Sequence, residues 1–254
     1  MRIFDLEKDR RFYDEEHKPP GHYRKDALDL WRFGLLRGLL RKIFKRDEPF
    51  KDRHVLNVAG GWGREAHLIL GEGARHLTFC DYSHTQALYA EGYLEGFYNK
   101  TIICGDGERL PFKDKSVDIC VIAEGLHHFS DPVAGAKEML RVARSAVIFD
   151  EPAGGIFRYA INRLFIALGM KEMLERGYLQ EYRMSSETLR ELRGLYAGAL
   201  YFPYFIYYFG WYKSTKNMLL RKIYQVALSV FNIFFHSFGN RVIVVLSLAK
   251  REHI

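Results

Sequence analysis

The sequence predicts an α/β fold, in which a parallel sheet lies between two layers of helices. From residue 54 onward, short apolar runs alternate with helical segments, as they do in chains built from strand–helix–strand units. These runs are apolar along most of their length, which is typical of strands buried on both faces. A chain of 254 residues that is 48% apolar and 27% charged can bury a full core of this kind.

Five strands and the helices between them can be placed in order. We expect the strands at residues 54–59, 76–80, 101–104, 117–123 and 146–149. A helix follows the first strand at residues 64–70. Ser83 and Gln86 form a capping box, which opens a helix that we expect to reach about Gly96. Asp131 and Pro132 provide the N-cap and first-turn proline of a helix that ends near Arg144.

Polar or glycine residues follow all five predicted strands. In a parallel sheet, ligands bind at the carboxyl ends of the strands, so these residues outline a cleft. In strand order they are Ala59, Gly60, Gly61, Trp62 and Gly63; Asp81 and Tyr82; Gly105, Asp106 and Gly107; Glu124 to His128; and Asp150 and Glu151.

The glycine turn fits two cofactors. Gly61, Gly63 and Ala66 satisfy the dinucleotide pattern, and Asp81 follows at a suitable distance to hold a ribose, which favours NAD. S-adenosylmethionine has no phosphate. It needs an acid after the second strand for its ribose hydroxyls and another after the third strand for its adenine amino group. Asp81 and Asp106 meet that requirement, and an NAD-dependent oxidoreductase remains the alternative.

Four segments carry a resemblance to a known family. They read VLNVAGGWG, FCDYS, GDGERLPFKDKSVDICVIAEGLHHFSDP and KEMLRVARSAVIFDEP, and they lie in consecutive order between residues 54 and 152. In these segments the chain resembles the class I S-adenosylmethionine-dependent methyltransferases, in the branch that includes the quinone-biosynthesis methyltransferases. The resemblance implies a Rossmann-like, doubly wound, mostly parallel seven-stranded sheet with an antiparallel last strand. Helices are added at both ends.

The resemblance also implies roles for individual residues. S-adenosylmethionine would be the cofactor and S-adenosylhomocysteine the product. His127 and His128 would lie beside the transferred methyl group as catalytic residues, and no metal is implied. The cofactor-binding candidates are Asn57, Ala59, Gly60, Gly61, Gly63, Asp81, Tyr82, Asp106, Gly107 and Glu124.

The turn departs from the family pattern at three positions. Asn57 stands where the family usually has an acid, so a negative charge facing the cationic cofactor is missing. Ala59 replaces the first glycine of the turn, and Trp62 fills a position that usually holds a small residue. The lost charge is expected to weaken binding by roughly 1–2 kcal/mol.

Residues 1–53 form an N-terminal segment that we expect to cap the cleft. Residues 24–53 hold ten basic and five acidic residues within a chain of net charge +7. Residues 26–46 form an amphipathic helix with apolar positions at Leu28, Trp31, Leu35, Leu39 and Ile43. Its basic side is either a solvated face or a surface for anionic lipid, nucleic acid or a phosphorylated substrate.

Residues 54–254 form the methyltransferase domain, with the cofactor half at 54–152. Residues 153–239 hold acceptor-side helices, including one at 154–176, and the aromatic stretch ALYFPYFIYYFGWY. A helix over 217–238 has a polar stripe of Gln225, Ser229, Asn232 and His236. These elements either pack on the core or on the partner of a homodimer, or form a lid over a partly apolar acceptor. Residues 240–250 supply the last strand.

The N-terminus shows no signal peptide, and the three cysteines fit reduced core residues, so we expect a cytoplasmic protein. The predicted function is methyl transfer to a small-molecule, lipid-like or glycan-like acceptor, at oxygen, with possible contact to a membrane surface. A methyltransferase directed at RNA through the basic segment is a further alternative, but we do not expect nucleic acid as a partner because the sequence shows no RNA-binding module.

Overall fold

The computed structural model describes residues 14–15, 27–152, 163, 167, 186–196, 198–204, 206, 217–235 and 239–248. Six helices lie in these ranges: α1 (Ala27–Phe44), α2 (Arg64–Gly71), α3 (His84–Tyr93), α4 (Pro132–Val142), α5 (Ser186–Gly194) and α6 (Met218–Phe235). A 3-10 turn covers Leu126–His128. The seven strands are β1 (His54–Val58), β2 (His76–Asp81), β3 (Lys100–Cys104), β4 (Val117–Ala123), β5 (Ala143–Pro152), β6 (Ala199–Tyr204) and β7 (Arg241–Ser247).

The strands form one sheet in the order β3-β2-β1-β4-β5-β7-β6. The first five strands are mutually parallel, and β7 is antiparallel to both β5 and β6. The predicted seven-stranded sheet with an antiparallel last strand is therefore confirmed. Since β6 and β5 are both antiparallel to β7, β6 runs parallel to β5, and its carboxyl end reaches the same edge as theirs.

Helices cover both faces of the sheet, each over its own apolar cluster. One cluster joins α1, α2, α3 and α6 to the sheet and includes Leu40, Phe50 and Phe79. The other joins α4 and α5 to the opposite face and includes Val142 and Phe149. The sheet is thus the middle of three layers.

The predicted helix starts are confirmed. The Oγ of Ser83 accepts a hydrogen bond from the backbone N–H of Gln86 at 3.1 Å, and Asp131 caps α4 by accepting from Val133 and Ala134. Two helices end earlier than predicted. The α3 helix ends at Tyr93 rather than near Gly96, and α4 ends at Val142 rather than near Arg144. The α4 helix stops early because β5 begins at once, at Ala143, where pairing with Val117 replaces helical hydrogen bonds.

Four of the predicted apolar positions of α1 pack against the core, but the residues that the helix buries most deeply are their neighbours. Leu36 and Leu40 are its buried leucines, whereas Trp31, Leu35, Leu39 and Ile43 are only partly buried. Arg32, predicted among the basic residues around the apolar face, is 3% exposed. It points inward because three carboxylates of the domain surround its guanidinium.

A long connection joins β6 to β7. Tyr204 pairs directly with Arg241, so residues 205–240 leave and re-enter the sheet at neighbouring positions. Asn240 closes the base of the connection, since its Oδ1 accepts from Ile206 N at 3.0 Å and its Nδ2 donates to Ile206 O at 2.8 Å. The α6 helix lies within this connection.

Several predictions fall outside the described residues. They concern nearly all of the helix over 154–176, the aromatic residues 207–212, and His236 in the polar stripe of α6.

Candidate functional site

The glycine turn after β1 requires left-handed backbone at three positions. Ala59, Gly61 and Gly63 have φ angles of 46°, 56° and 95°. Glycine adopts this region freely, whereas alanine does so at a cost. Gly60 is needed for a different reason, because a Cβ there would lie 2.2 Å from Phe79 Cε2 and 2.6 Å from Asn57 Oδ1. The turn therefore needs glycine at Gly60, Gly61 and Gly63, and it lies close to the strand ends.

Asp81, at the end of β2, is tied to this turn. One carboxylate oxygen accepts from Gly61 N at 2.8 Å and the other from Ser83 N at 2.9 Å. Burial raises the pKa of Asp81 to about 6, and these two N–H donors offset only part of that rise. Each oxygen holds further lone pairs, so the carboxylate can accept hydrogen bonds from a ligand as well.

Asp106 lies two residues beyond the end of the neighbouring strand. β3 pairs with β2 so that Cys104 is opposite Asp81, and the chain then turns through Asp106. Its Oδ1 accepts from Glu108 N at 2.8 Å, which fixes the turn. A Cβ on Gly107 would meet the Phe129 ring at 2.4 Å, so a glycine is required there. Two acids thus follow adjacent strands at one edge.

Asn57 is buried beneath the turn, with 1% of its surface exposed. Its amide nitrogen donates to Val121 O at 3.4 Å. Within the part of the chain that the structure describes, its Oδ1 has no hydrogen-bond partner, although it lies beside Gly60. A buried acceptor of this kind is unusual and is suited to a donor from a ligand or a bound water.

His127 and Glu151 form a buried pair across the ends of β4 and β5. His127 Nδ1 lies 2.5 Å from Glu151 Oε2. The other oxygen of Glu151 accepts from Gly125 N at 3.0 Å and Leu126 N at 2.8 Å. Burial would raise the pKa of Glu151, but the His127 imidazole and these hydrogen bonds outweigh it and lower the pKa. The carboxylate therefore fixes both the loop and the histidine ring.

A cluster of arginines and acids fills the neighbouring strand ends. Glu124 Oε1 lies 2.9 Å from Arg32 and 2.6 Å from Arg241, and its Oε2 lies 2.8 Å from Arg64. These three arginines hold the pKa of Glu124 well below its usual range, against the opposing effect of burial. Glu124 itself adopts a left-handed φ of 57°.

The same cluster ties five elements together: α1, α2, β5, β6 and β7. Arg32 of α1 also contacts Glu65 at 2.8 Å and Asp150 at 3.3 Å. Asp150 accepts a hydrogen bond from the Tyr204 hydroxyl at 2.7 Å and lies 3.3 Å from Arg241. Three guanidinium groups thus face three carboxylates, so the cluster balances its own charge.

The structure brings most of the predicted site residues to one edge of the sheet. The turn residues, Asp81, Tyr82, Asp106, Gly107, His127 and His128 all follow the carboxyl ends of β1 to β4. Glu124 lies there too, but its carboxylate is engaged by arginines, and its cofactor role stays a prediction. No signal in the sequence identifies Arg32, which is remote in the chain and was predicted to be part of a solvated basic helix.

One described piece of the N-terminal segment reaches this edge. Asp14 accepts a hydrogen bond from the Ser83 hydroxyl at 2.5 Å and lies 3.3 Å from Thr85 N. It is close enough to Asp81 to raise the pKa of that acid further. The expected capping by residues 1–53 remains a prediction, since the aromatic residues expected to close the cleft, Phe12, Tyr13 and Tyr23, lie outside the described residues.

Comparison with known proteins gives three findings. Residues 56–149 match a family model described as a methyltransferase domain. A demethylmenaquinone methyltransferase of Beutenbergia cavernae is 38% identical over 90 residues, which are 35% of this chain and 36% of that protein. A ubiquinone/menaquinone biosynthesis C-methyltransferase of Rickettsia felis is 34% identical over 125 residues, covering 46% of this chain and 50% of the relative.

Solved structures share the fold. Magnesium protoporphyrin IX methyltransferase from Synechocystis, solved with bound S-adenosylhomocysteine, superposes with a TM-score of 0.58 at 12% identity, covering 81% of this chain and 96% of the other. The matched stretches span 36% to 43% of three demethylmenaquinone methyltransferases. The chain thus covers about two fifths of these relatives. Together the matches confirm the family resemblance predicted from the sequence motifs.

Proposed function

We propose that this chain, in which residues 56–149 form a class I S-adenosylmethionine-dependent methyltransferase domain resembling the quinone-biosynthesis branch, methylates a small, partly apolar acceptor. The observation that carries the proposal is the placement of Asp81 and Asp106. They follow adjacent strands, beside a glycine turn that donates to Asp81 at 2.8 Å.

The described residues fit the cofactor. Asp81 offers free lone pairs for the ribose hydroxyls, and Asp106 offers one carboxylate oxygen beyond the one that holds Glu108 N. The turn leaves room for the methionine part at Gly61, where a Cβ would meet no other atom within 4 Å. The buried Oδ1 of Asn57 has no hydrogen-bond donor among the described residues, so a ligand can supply one at this edge.

S-adenosylmethionine supplies an electrophilic methyl group on a sulfonium. The protein has to align the acceptor and, where the acceptor is a weak acid, remove its proton. Because His127 Nδ1 donates to Glu151, the other ring nitrogen, Nε2, is the basic one and takes that proton. In this mechanism Glu151 is a positioning residue, which fixes the tautomer and stabilises the charged imidazolium.

In this proposal the acceptor is an apolar molecule with one group that loses a proton during methylation. Relatives are named for demethylmenaquinone and for C-methylation, whereas our expectation from the sequence is oxygen. A phenolic hydroxyl and the ring carbon beside it both lose a proton during methylation, so the same base serves either. The acceptor atom is read from the product, because a transferred 13C-methyl group resonates at clearly different NMR positions on oxygen and on carbon.

The cofactor is tested by calorimetry with S-adenosylmethionine, S-adenosylhomocysteine and NAD. We expect the first two to bind and NAD not to bind. Asp81→Ala removes a charged acceptor from the ribose and weakens binding by roughly 1.5–3 kcal/mol. Asp114→Asn is the matched control, since this exposed acid pairs with Arg141 at 2.7 Å and is not one of the strand-end acids. Tight NAD binding without any response to S-adenosylmethionine contradicts the proposal.

Methyl transfer is tested with hydroxylated naphthoquinones and phenols as probe acceptors. His127→Gln is expected to lower kcat by roughly 100-fold, in the range of a lost general base, while cofactor affinity is retained. If the variant transfers methyl groups at the wild-type rate, His127 is not the base. RNA is included as an acceptor at low and high salt, because salt-sensitive RNA methylation favours the alternative function.

A further inference from the structure

The α6 helix presents apolar side chains to the outside of the molecule. Met218, Leu219, Ile233 and Phe234 are 66% to 72% exposed. Leu220, Ile223, Val226, Val230 and Phe235 are 43% to 63% exposed. Spaced at helical intervals, these residues cover the outer side of all five turns. By length and composition it is the one helix of the described residues that could cross a membrane.

The uncharged polar residues of α6 are half-buried, unlike its apolar face: Gln225, Ser229 and Asn232. Trp31 of α1 donates its indole N–H to Ser229 Oγ at 3.0 Å. Asn232 donates to Leu228 O at 2.8 Å, and Leu228 is buried in the core cluster shared with α1. The helix is therefore reversed in polarity compared with an ordinary surface helix, whose polar side faces water.

The position of α6 links this apolar face to the cleft. The helix lies in residues 205–240, which leave the sheet after Tyr204 and return at Arg241. Tyr204 hydrogen-bonds to Asp150 at the carboxyl end of β5. The connection therefore begins and ends at the edge where the cofactor-site residues lie, and it adds nothing that the pairing of β6 with β7 requires.

All the charged residues of this connection are basic. Its charged residues are Lys213, Lys216, Arg221 and Lys222, and it contains no Asp or Glu. The helix on which α6 packs also carries exposed basic residues in its last turn, Arg41 and Lys42. A basic segment followed by an apolar helical face is the pattern of a helix that lies in the interface of an anionic bilayer.

We propose that α6 docks this protein on an anionic lipid surface, with its apolar face in the bilayer interface, and that a lipid-soluble acceptor reaches the cleft from that surface. The acceptor part of this inference rests on the proposed function, whereas the docking part does not. The helix lies on the membrane rather than across it, because Leu228 and the Trp31–Ser229 hydrogen bond hold its other face on the protein.

Charge argues against a second copy as the occupant of this face. A symmetric contact through α6 would add four more basic residues from the other connection, without any acid in either to pair with them. Phospholipid headgroups supply those counter-charges, and the bilayer interface accepts the whole apolar face.

The test is co-sedimentation of the full chain with vesicles, without cofactor. We expect binding to vesicles of phosphatidylcholine mixed with phosphatidylglycerol, and weaker binding to phosphatidylcholine alone. The triple variant Leu219→Ser, Val226→Ser, Ile233→Ser should bind at least about ten-fold more weakly, since it loses three exposed apolar side chains. Lys222→Gln should lower binding roughly five-fold on anionic vesicles only. Leu88→Ser is the matched control, because Leu88 is 55% exposed on α3 and should not contribute.

A second measurement does not depend on the triple variant being folded. A polarity-sensitive dye on Val226→Cys, in a Cys104→Ser background, should shift to the blue when anionic vesicles are added. No vesicle binding by the wild-type chain overturns the proposal. So does a wild-type dimer in sedimentation that the triple variant converts to a monomer. A chain that binds S-adenosylmethionine but no vesicles refutes only the docking, and the reverse result refutes only the proposed function.

Discussion

The methyl group of Ala59 occupies the space that the missing side chain of Gly125 leaves open: a Cβ on Gly125 would approach the Ala59 Cβ to 2.7 Å. Ala59 holds a left-handed φ of 46° in the turn after β1, and Gly125 follows β4, the strand next to β1. The turn that departs from the family pattern at residue 59 is therefore matched by a glycine on the neighbouring strand.

Ala59→Gly is expected to stabilise the protein by about 0.5–1 kcal/mol. The left-handed alanine costs roughly 1–2 kcal/mol, and the extra chain entropy of glycine takes back about half of the relief. Urea unfolding measures the change. Gly125→Ala is the opposing variant and should destabilise by roughly 1–3 kcal/mol through overpacking, less so when Ala59→Gly is also present. Equal losses in both backgrounds would show that Ala59 is not the residue that excludes a side chain.

Cofactor affinity is expected to rise with pH until about 6. Only the Asp81 carboxylate accepts from both ribose hydroxyls, and the pKa of Asp81 is raised to about 6, so Kd increases up to ten-fold for each pH unit below that value. Asp81→Asn should bind weakly with a flat profile. Calorimetry across this range tells the two apart, and a wild-type profile as flat as that of Asp81→Asn removes Asp81 from the site.

The same acid has the opposite effect on stability. Its folded pKa lies above the ordinary 3.8, so its contribution to stability is fully present below about 3.8 and is lost as pH rises through about 6. Asp81→Asn removes this pH dependence but leaves one of the two backbone N–H donors without its acceptor, so its stability relative to wild type should rise from acid to neutral pH while cofactor affinity is lost. Thermal unfolding at acid and neutral pH measures that difference.

Glu151→Gln is expected to lower kcat by roughly 10- to 100-fold with little change in cofactor Kd. The amide still accepts from Gly125 and Leu126, so the loop keeps its shape, but the negative charge that orients His127 is gone. A purely structural role for Glu151 would instead show as a change in cofactor affinity, or as a loss that a double variant with His127→Gln deepens.

Arg32→Met is expected to destabilise the protein by roughly 3–5 kcal/mol, because it leaves buried acids with one cation fewer. Arg37→Met is its control on the same helix. Arg37 pairs with Glu72 at 2.7 Å, but with 38% of its side chain exposed it should cost less than about 1 kcal/mol. Similar losses for the two variants in urea unfolding would mean that the buried cluster adds nothing to stability.

Local signals in the sequence were sufficient for the sheet and for the edge that carries the site. The β4 strand occupies the residues predicted, because seven consecutive positions are either apolar or held by a specific contact. The caps at Ser83 and Asp131 were predictable for the same reason, since each side chain bonds to its own helix. Asp81 and Asp106 follow from strand order alone.

Long-range contacts account for what the sequence did not disclose. Nothing near Arg32 indicates that Glu65, Glu124 and Asp150 will surround it, so Arg32 was expected among the solvated basic residues of its helix. The pairing of His127 with Glu151 likewise depends on β4 and β5 being neighbours. Such contacts become visible only once the sheet is assembled.

The two hydrogen bonds between Ile206 and Asn240 have an evolutionary consequence. They join residues 206 and 240 beside the paired ends of β6 and β7, so the register of these strands does not depend on how long the chain between them is. Evolution can lengthen, shorten or replace the chain between Ile206 and Asn240 without shifting the register of β6 and β7 or moving Asp81 and Asp106. The chemistry of the cleft and the place where the enzyme works in the cell are thereby free to diverge independently.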